Sequence, residues 1–394
     1  MASAWSTGRR ARTVTVLTAG VLLCMGTAVA PGYAEDTGTV ANAGSDGALD
    51  GSYLVLLEEG AGPDLVTEYG MRAEETYDHA LEGVLATGSA AQAARLAADP
   101  DVRLVEQNSL LRRPPAAPKT QSSPPSCGLD RIDQRALPLS GSYSYPRSAG
   151  AGVDVYVIDT GIDYGHPDFG GRARPGFDAF GGDGSDENGN GTHMAGIIGG
   201  TEHGVAKKAH LISVKVLDAE GGGTLAGVVA GIDWVTEHAH GPSVANFVIG
   251  APVSEVLDEA VRNSLAAGVT YAMSAGASAD DISHSSPARV TEAITVGSTD
   301  CADHVASFSN YGTGLDLYAP GVDITSTWPG GGTFTASGTS VSAAHASGAA
   351  ALHLGRHPRA TPADVGAALD RASVKGALTG VPAGTADKLL RVAY

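Results

Sequence analysis

The sequence predicts an α/β fold, a mostly parallel sheet covered by helices on both faces. Three observations predict it. Beyond residue 127, apolar strand-like runs alternate with helical patterns, as in repeated βαβ units. Apolar residues make up 43% of the chain, enough for a real core. Glycine contributes 54 of 394 residues, roughly twice ordinary usage, which suits many tight turns and close backbone approaches.

Taken in order, strands are expected at 154–158, 211–217, 244–249, 269–273, 294–296 and 315–318. Helices are expected at 224–236, at 254–267, and from Ser340 through a run of Ala and other small residues to Leu354. A last helix is expected over 361–373, where Thr361-Pro362 is a helix-start signal. Ligands of such sheets bind outside the carboxyl ends of the strands.

The residues before this domain divide by composition. Residues 1–34 read as a secretory signal peptide: Arg9, Arg10 and Arg12 with no acid, a 17-residue apolar run over 14–30, and small residues leading to Ala34. An uncleaved anchor helix is the alternative, since ~17 residues is the short limit for a span. No other stretch is long and apolar enough to cross a bilayer, so no membrane partner is expected once the signal is removed. Residues 35–51 are Gly/Ala/Asp-rich and read as a flexible leader. Residues 52–113 read as a small α+β unit, with a strand at 53–57, a helix at 90–98 and a strand at 102–106. Residues 114–126 hold five prolines and no periodicity, a semi-rigid linker. Residues 127–394 form the large domain.

The net charge of −18 argues against a nucleic-acid or anionic-membrane partner, which would need clustered Lys and Arg. Three cysteines cannot build a disulfide framework or a four-Cys zinc site.

Three segments carry candidate chemistry. Asp159-Thr160-Gly161 ends the first strand of the large domain, Asn190-Gly191-Thr192-His193 opens a helix, and Ser337-Gly338-Thr339-Ser340 opens a later one. A serine at a helix N-terminus suits a nucleophile, because the dipole and free N–H groups stabilise developing negative charge. An aspartate at a strand's carboxyl end can orient a partner imidazole. From spacing alone the plainer reading of Ser340 is a helix-capping serine.

Together these stretches resemble the subtilisin family of serine proteases, in its proteinase K-like branch. The resemblance rests on VIDTGID, GNGTHMAGIIGG and SGTSVSAAHASGAAAL, with support from GLDRIDQRALPL, HPDFGGRA, GVAKKAHLISVKVLD, ASFSNYG and APGVDITSTW, and it covers roughly 127–394. It implies a subtilisin-like fold and an Asp–His–Ser catalytic triad. It also implies that 52–113 is a propeptide, a chaperone-inhibitor domain that would be the chain's own partner. Asp159 and Ser340 match their motifs.

The chain departs from the family where the chemistry is made. The family's general base is the first His of His-Gly-Thr-His; here that position is Asn190. The family's oxyanion-hole Asn corresponds to Ala277, and a Pro after the nucleophile to Ala344. A serine hydroxyl is a weak nucleophile without a base, and an amide is no base near neutral pH. The expectation is a catalytically impaired or dead pseudoprotease that binds peptides. The alternative is an active serine endopeptidase using His193 or a substrate histidine as base. The bland reading of His193 and His345 is packing, and of His166 a turn.

The resemblance assigns Gly221, Gly222, Gly223 and Val248, Ile249, Gly250 to the two edges that flank a bound peptide; a plain loop is the alternative for the glycines. It implies a Ca²⁺ site from Asp316 with carbonyls near Thr291 and Ala293, against a capped turn. Ala251-Pro252 replaces the family's Gly-Gly run and is expected to reshape the specificity pocket. Export permits a Cys127–Cys301 disulfide; two free thiols are the alternative.

Overall fold

The computed structural model describes residues 37–45, 48–77, 81–109 and 118–393. The expected signal peptide lies outside them. The chain divides into two compact units, Met1–Pro114 and Pro115–Tyr394.

The first unit is a five-stranded sheet in the order Val40–Ala41, Val102–Ser109, Ala48–Leu57, Gly83–Thr87, Arg72–Tyr77. Tyr53, Val55 and Leu57 alternate inward along their strand and pack with Val84, Leu96 and Val105. The helix Ala90–Leu96 starts at a capping box, in which Ser89 and Gln92 satisfy each other's backbone N–H. Val40–Ala41 and the start of Ala48–Leu57 fall in the stretch expected to be a flexible leader; both are sheet-paired instead. Arg72–Tyr77 escaped the sequence reading because it is a polar, exposed edge strand.

The second unit holds a nine-stranded sheet in the order Val374–Lys375, Lys388–Leu389, Leu317–Pro320, Ile294–Thr299, Thr270–Ser274, Ser243–Phe247, Asp154–Asp159, His210–Lys215, Ala173–Asp178. All neighbours are parallel except the outermost pair, Val374–Lys375 with Lys388–Leu389. Parallel strands need crossovers, and helices on both faces provide them. Along the interior strand Asp154–Asp159 the side chains divide between two cores. Val155 and Val157 pack with Met194, Ile197 and Val341 from the helices Asn190–Gly199 and Thr339–Leu354. Tyr156 and Ile158 pack with Val228, Ile232, Leu257 and Val261 from Leu225–His238 and Glu255–Ala266. The helix Thr339–Leu354 runs unbroken through Ala344, and the last helix, Pro362–Ala372, is capped by Thr361.

Lys119–Ser122 corrects the linker expectation: it is a strand paired antiparallel with Ser142–Tyr145. Its residues are polar and mostly exposed, so no apolar alternation announced it. Cys127 and Cys301 are bonded, with Cα atoms 6.1 Å apart and a sequence separation of 174. Beside them the buried Arg131 guanidinium donates from Nε and Nη2 to Asp303 at 2.6 and 3.0 Å. The two links tie the helix Cys127–Ile132 to the 301–303 loop.

Replacing both cysteines by serine is expected to lower unfolding free energy by about 2–4 kcal/mol, with the Arg131–Asp303 pair keeping the fold native. Urea denaturation of the oxidised protein and the double variant measures this.

Candidate active site

Asp159 closes its strand at the carboxyl end of the sheet, fully buried. Asn190 is the first residue of the helix Asn190–Gly199. Two glycines let these elements meet. Gly189 takes φ 115°, a left-handed conformation that favours glycine. Any Cβ on Gly191 would collide with the Gly161 carbonyl. The Asn190 amide thus reaches Asp159, and Nδ2 donates to Oδ1 and Oδ2 at 3.0 and 2.8 Å. The Thr160 N–H adds a bond to Oδ1 at 2.7 Å. Burial pushes the Asp159 carboxyl up to about 7, opposed by the Asn190 and Thr160 hydrogen bonds and reinforced by the Asp186 charge.

Asp186, not singled out from the sequence, holds this arrangement. Its Oδ1 accepts from Thr160 Oγ1 (2.8 Å), Asn188 N (3.0 Å) and Gly189 N (2.9 Å). Its Oδ2 accepts from the Thr192 N–H (2.9 Å) and hydroxyl (2.6 Å). One carboxylate therefore caps the helix that carries Asn190 and fastens it to the residue after Asp159. Lys215 Nζ donates to the Thr160 carbonyl at 2.6 Å from the neighbouring strand. An Asp shortly before a Gly-rich helix start was the available signal for Asp186.

Ser340 lies in the first turn of Thr339–Leu354, after the extended N-cap Gly338 (φ 164°). It lines a cavity of about 540 Å³ with Val248, Gly250, Ser274, Ala277 and Asn310. Among the described residues Ser340 Oγ makes no hydrogen bond. Its backbone N–H, one of the unpaired donors at a helix start, faces no sequence constraint. Ala277 is exposed and offers only a methyl group where an amide donor is expected. Asn310 is committed elsewhere: Oδ1 accepts from Ser278 and Asp280 N–H at 2.9 and 3.0 Å, and Nδ2 donates to Ala275 O at 2.9 Å.

His193 does not line the Ser340 cavity, and its Nδ1 is buried without a hydrogen-bond partner. It is buried, and its Nε2–H donates to the carbonyls of Ile324 (3.2 Å) and Phe334 (3.0 Å) in the hairpin Ile324–Trp328 and Gly332–Ala336. Trp328 and Phe334 pack edge-on to its ring, and burial lowers its pKa. His345 is likewise buried; its Nδ1–H donates to Val341 O at 3.0 Å, and burial drives it down to about 4. His166 caps the short Pro167–Phe169 turn.

Of the peptide-edge residues, Val248 and Gly250 line the Ser340 cavity, whereas Ile249 packs against the core beneath Leu225–His238 and Glu255–Ala266. Gly221–Gly223 is exposed. Asp218 closes most of it into a turn, accepting from Gly222 N at 2.7 Å while its own N–H donates to Gly222 O at 2.8 Å. Ala251–Pro252 pairs antiparallel with Ser285–Ser286 and walls the cavity.

Asp316, the one carboxylate of the expected calcium site, is half-buried, and burial raises it to about 6. One oxygen of Asp316 accepts the Thr295 N–H at 2.8 Å. Asp316 shares a cavity of about 290 Å³ with Asp370 and Lys388, and the Lys388 ammonium, 2.6 Å from Asp370, already supplies positive charge there. Thr291 and Ala293 do not line that cavity. Among the described residues no group of three His, Cys, Asp or Glu is arranged to hold a metal.

Residues 150–386 match the model of the subtilase family, Peptidase_S8. The chain belongs to this family of subtilisin-like serine proteases. It is 48% identical to the extracellular serine proteinase of Thermus sp. (strain Rt41A) over 76% of this chain and 73% of that protein. It is 37% identical to the subtilisin-like serine protease Pen c 1 of Penicillium citrinum, over 84% of this subtilase and 89% of that one. A crystal structure of a cold adapted subtilisin-like serine proteinase superposes with a TM-score of 0.67 at 44% identity, covering 69% of this chain and all of that one. Among the described residues no helix is long and apolar enough to cross a membrane.

The raised Asp159 pKa sets a pH dependence. The group contributes stability that is fully present below the ordinary Asp value near ~3.9 and is lost as pH rises through about 7. Between pH 5 and 8 the wild type is expected to lose about 1–3 kcal/mol relative to Asp159→Asn. Chemical denaturation of both proteins at the two pH values reads the difference.

Proposed function

We propose that this subtilase is a secreted pseudoprotease that holds peptide segments in the Ser340 cleft and cleaves them negligibly. The observation that carries the reading is the Asn190 amide donating through Nδ2 to both oxygens of Asp159. With that donor engaged, Asn190 has only its carbonyl oxygen left, an acceptor with no useful basicity at neutral pH. The aspartate therefore orients an amide where the reaction needs an imidazole.

Magnitudes favour inactivity over slow turnover. In subtilisin, a member of this family, removing the base costs about 2 × 10⁶ in kcat, or roughly 8–9 kcal/mol of barrier. Loss of an oxyanion side chain costs about 10²–10³ by itself, and the two losses need not add. The Ser340 N–H supports the remaining half of an oxyanion hole. The alternative of a rescuing His193 is disfavoured by its burial outside the lining of the Ser340 cavity. Calcium has no part in this reading.

Secretion follows from the charged and apolar N-terminal run together with extracellular relatives such as the Thermus proteinase. Residues 52–113 serve as the propeptide, the chain's own partner. A chain that cannot cut itself keeps residues 35–126 attached until another protease acts.

Purified protein is expected to hydrolyse casein about 10⁶-fold more slowly than an active relative. Asn190→His combined with Ala277→Asn is expected to restore proteolysis by several orders of magnitude. Wild-type hydrolysis at ordinary protease rates, abolished by Ser340→Ala, would refute the proposal.

A further inference from the structure

A second pair of cavities lies at the other end of the sheet. Gly241 and Gly268 precede the strands Ser243–Phe247 and Thr270–Ser274, so both mark amino ends. Ser274 and Ala277 mark the carboxyl ends, where the Ser340 cavity opens. A five-residue strand separates the two ends by about 16 Å. The two glycines line a cavity of about 710 Å³, bounded by the last turn of Glu255–Ala266 and the first turn of Pro362–Ala372. Leu265, Ala266, Pro358 and Pro362 give it apolar walls, and its Arg262 and Glu292 pair with each other at 3.5 Å.

A neighbouring cavity of about 520 Å³ shares Pro358, Arg359 and Ala360 with the first. Its character is cationic, with Arg356, Arg359 and Arg371 beside His353 and His357. None of these guanidiniums makes an ion pair among the described residues, although Arg356 Nη1 donates to the Ala393 carbonyl at 3.3 Å. The cavity's carboxylate, Asp364, is engaged as a helix cap, accepting from the Thr361 N–H at 2.9 Å and hydroxyl at 2.7 Å. Helix C-termini attract cations, which accounts for His353, Arg356 and Arg371. It does not account for Arg359, which stands at the junction of the apolar and cationic halves.

We propose that this paired cavity binds an amphiphilic anion, its apolar body between Leu265 and Pro362 and its oxyanion on Arg359 with Arg356 and Arg371. Guanidinium forks match carboxylate and phosphate geometry, and an apolar pocket with a few convergent polar groups is the usual form of a small-ligand site. The site is separate from the Ser340 cleft and does not rest on that cleft's activity.

The test is calorimetric titration of the full chain at pH 7 with decanoate below its micellar range, against inorganic phosphate and decanol. Decanoate is expected to bind at one site at least tenfold more tightly than either control. Arg359→Gln and Ala266→Glu alter exposed residues on the two halves, and each is expected to weaken decanoate at least tenfold with unchanged circular dichroism. Phosphate or decanol binding as tightly as decanoate, decanoate binding that survives both substitutions, or no binding at millimolar decanoate would each overturn the proposal.

Discussion

The site depends on one buried carboxylate being satisfied from a helix start. Asp159 sits at zero exposure, where an unpaired charge is costly, and two bonds from Asn190 with one from Thr160 make it tolerable. Asp186 then holds the helix in register by capping it. The same hydrogen bonds that place the Asn190 side chain against Asp159 also stabilise the fold around it.

The sheet sets where the site lies independently of its chemistry. Both faces of the strand Asp154–Asp159 are core, so the positions of Asp159, the Asn190 helix and the Ser340 helix follow from packing. A cleft at the carboxyl ends is a by-product of that layering. Its walls are set by local pairing: Ala251–Pro252 pairs with Ser285–Ser286, and the glycine edge folds back on Asp218.

Much of the large unit was legible in the sequence because its strands are apolar on both sides and its helices carry caps. The expected strands and helices appear within a few residues of their places, as with 154–158 against Asp154–Asp159 and 361–373 against Pro362–Ala372. Elements whose residues are polar or exposed were not legible: Arg72–Tyr77, Lys119–Ser122 and Gly332–Ala336 are ordered by pairing, a non-local cause that periodicity does not register. The same holds in the site. Asp159, Asn190 and Ser340 stood out by motif, whereas the role of Asp186 depends on five donors that only the folded chain brings together. Ile249 shows the opposite error, a residue in the right segment whose side chain turns into the core.

The cross-link between Cys127 and Cys301 carries a consequence for biogenesis. Its partners are 174 residues apart, so during synthesis the first thiol must wait until most of the large unit has been made. Oxidation therefore comes late and acts as a seal on a nearly finished sheet, not as a guide to its assembly. A chain retained in a reducing compartment would complete the same topology and lack only the seal, and the place where it matures would be written in its durability rather than its shape.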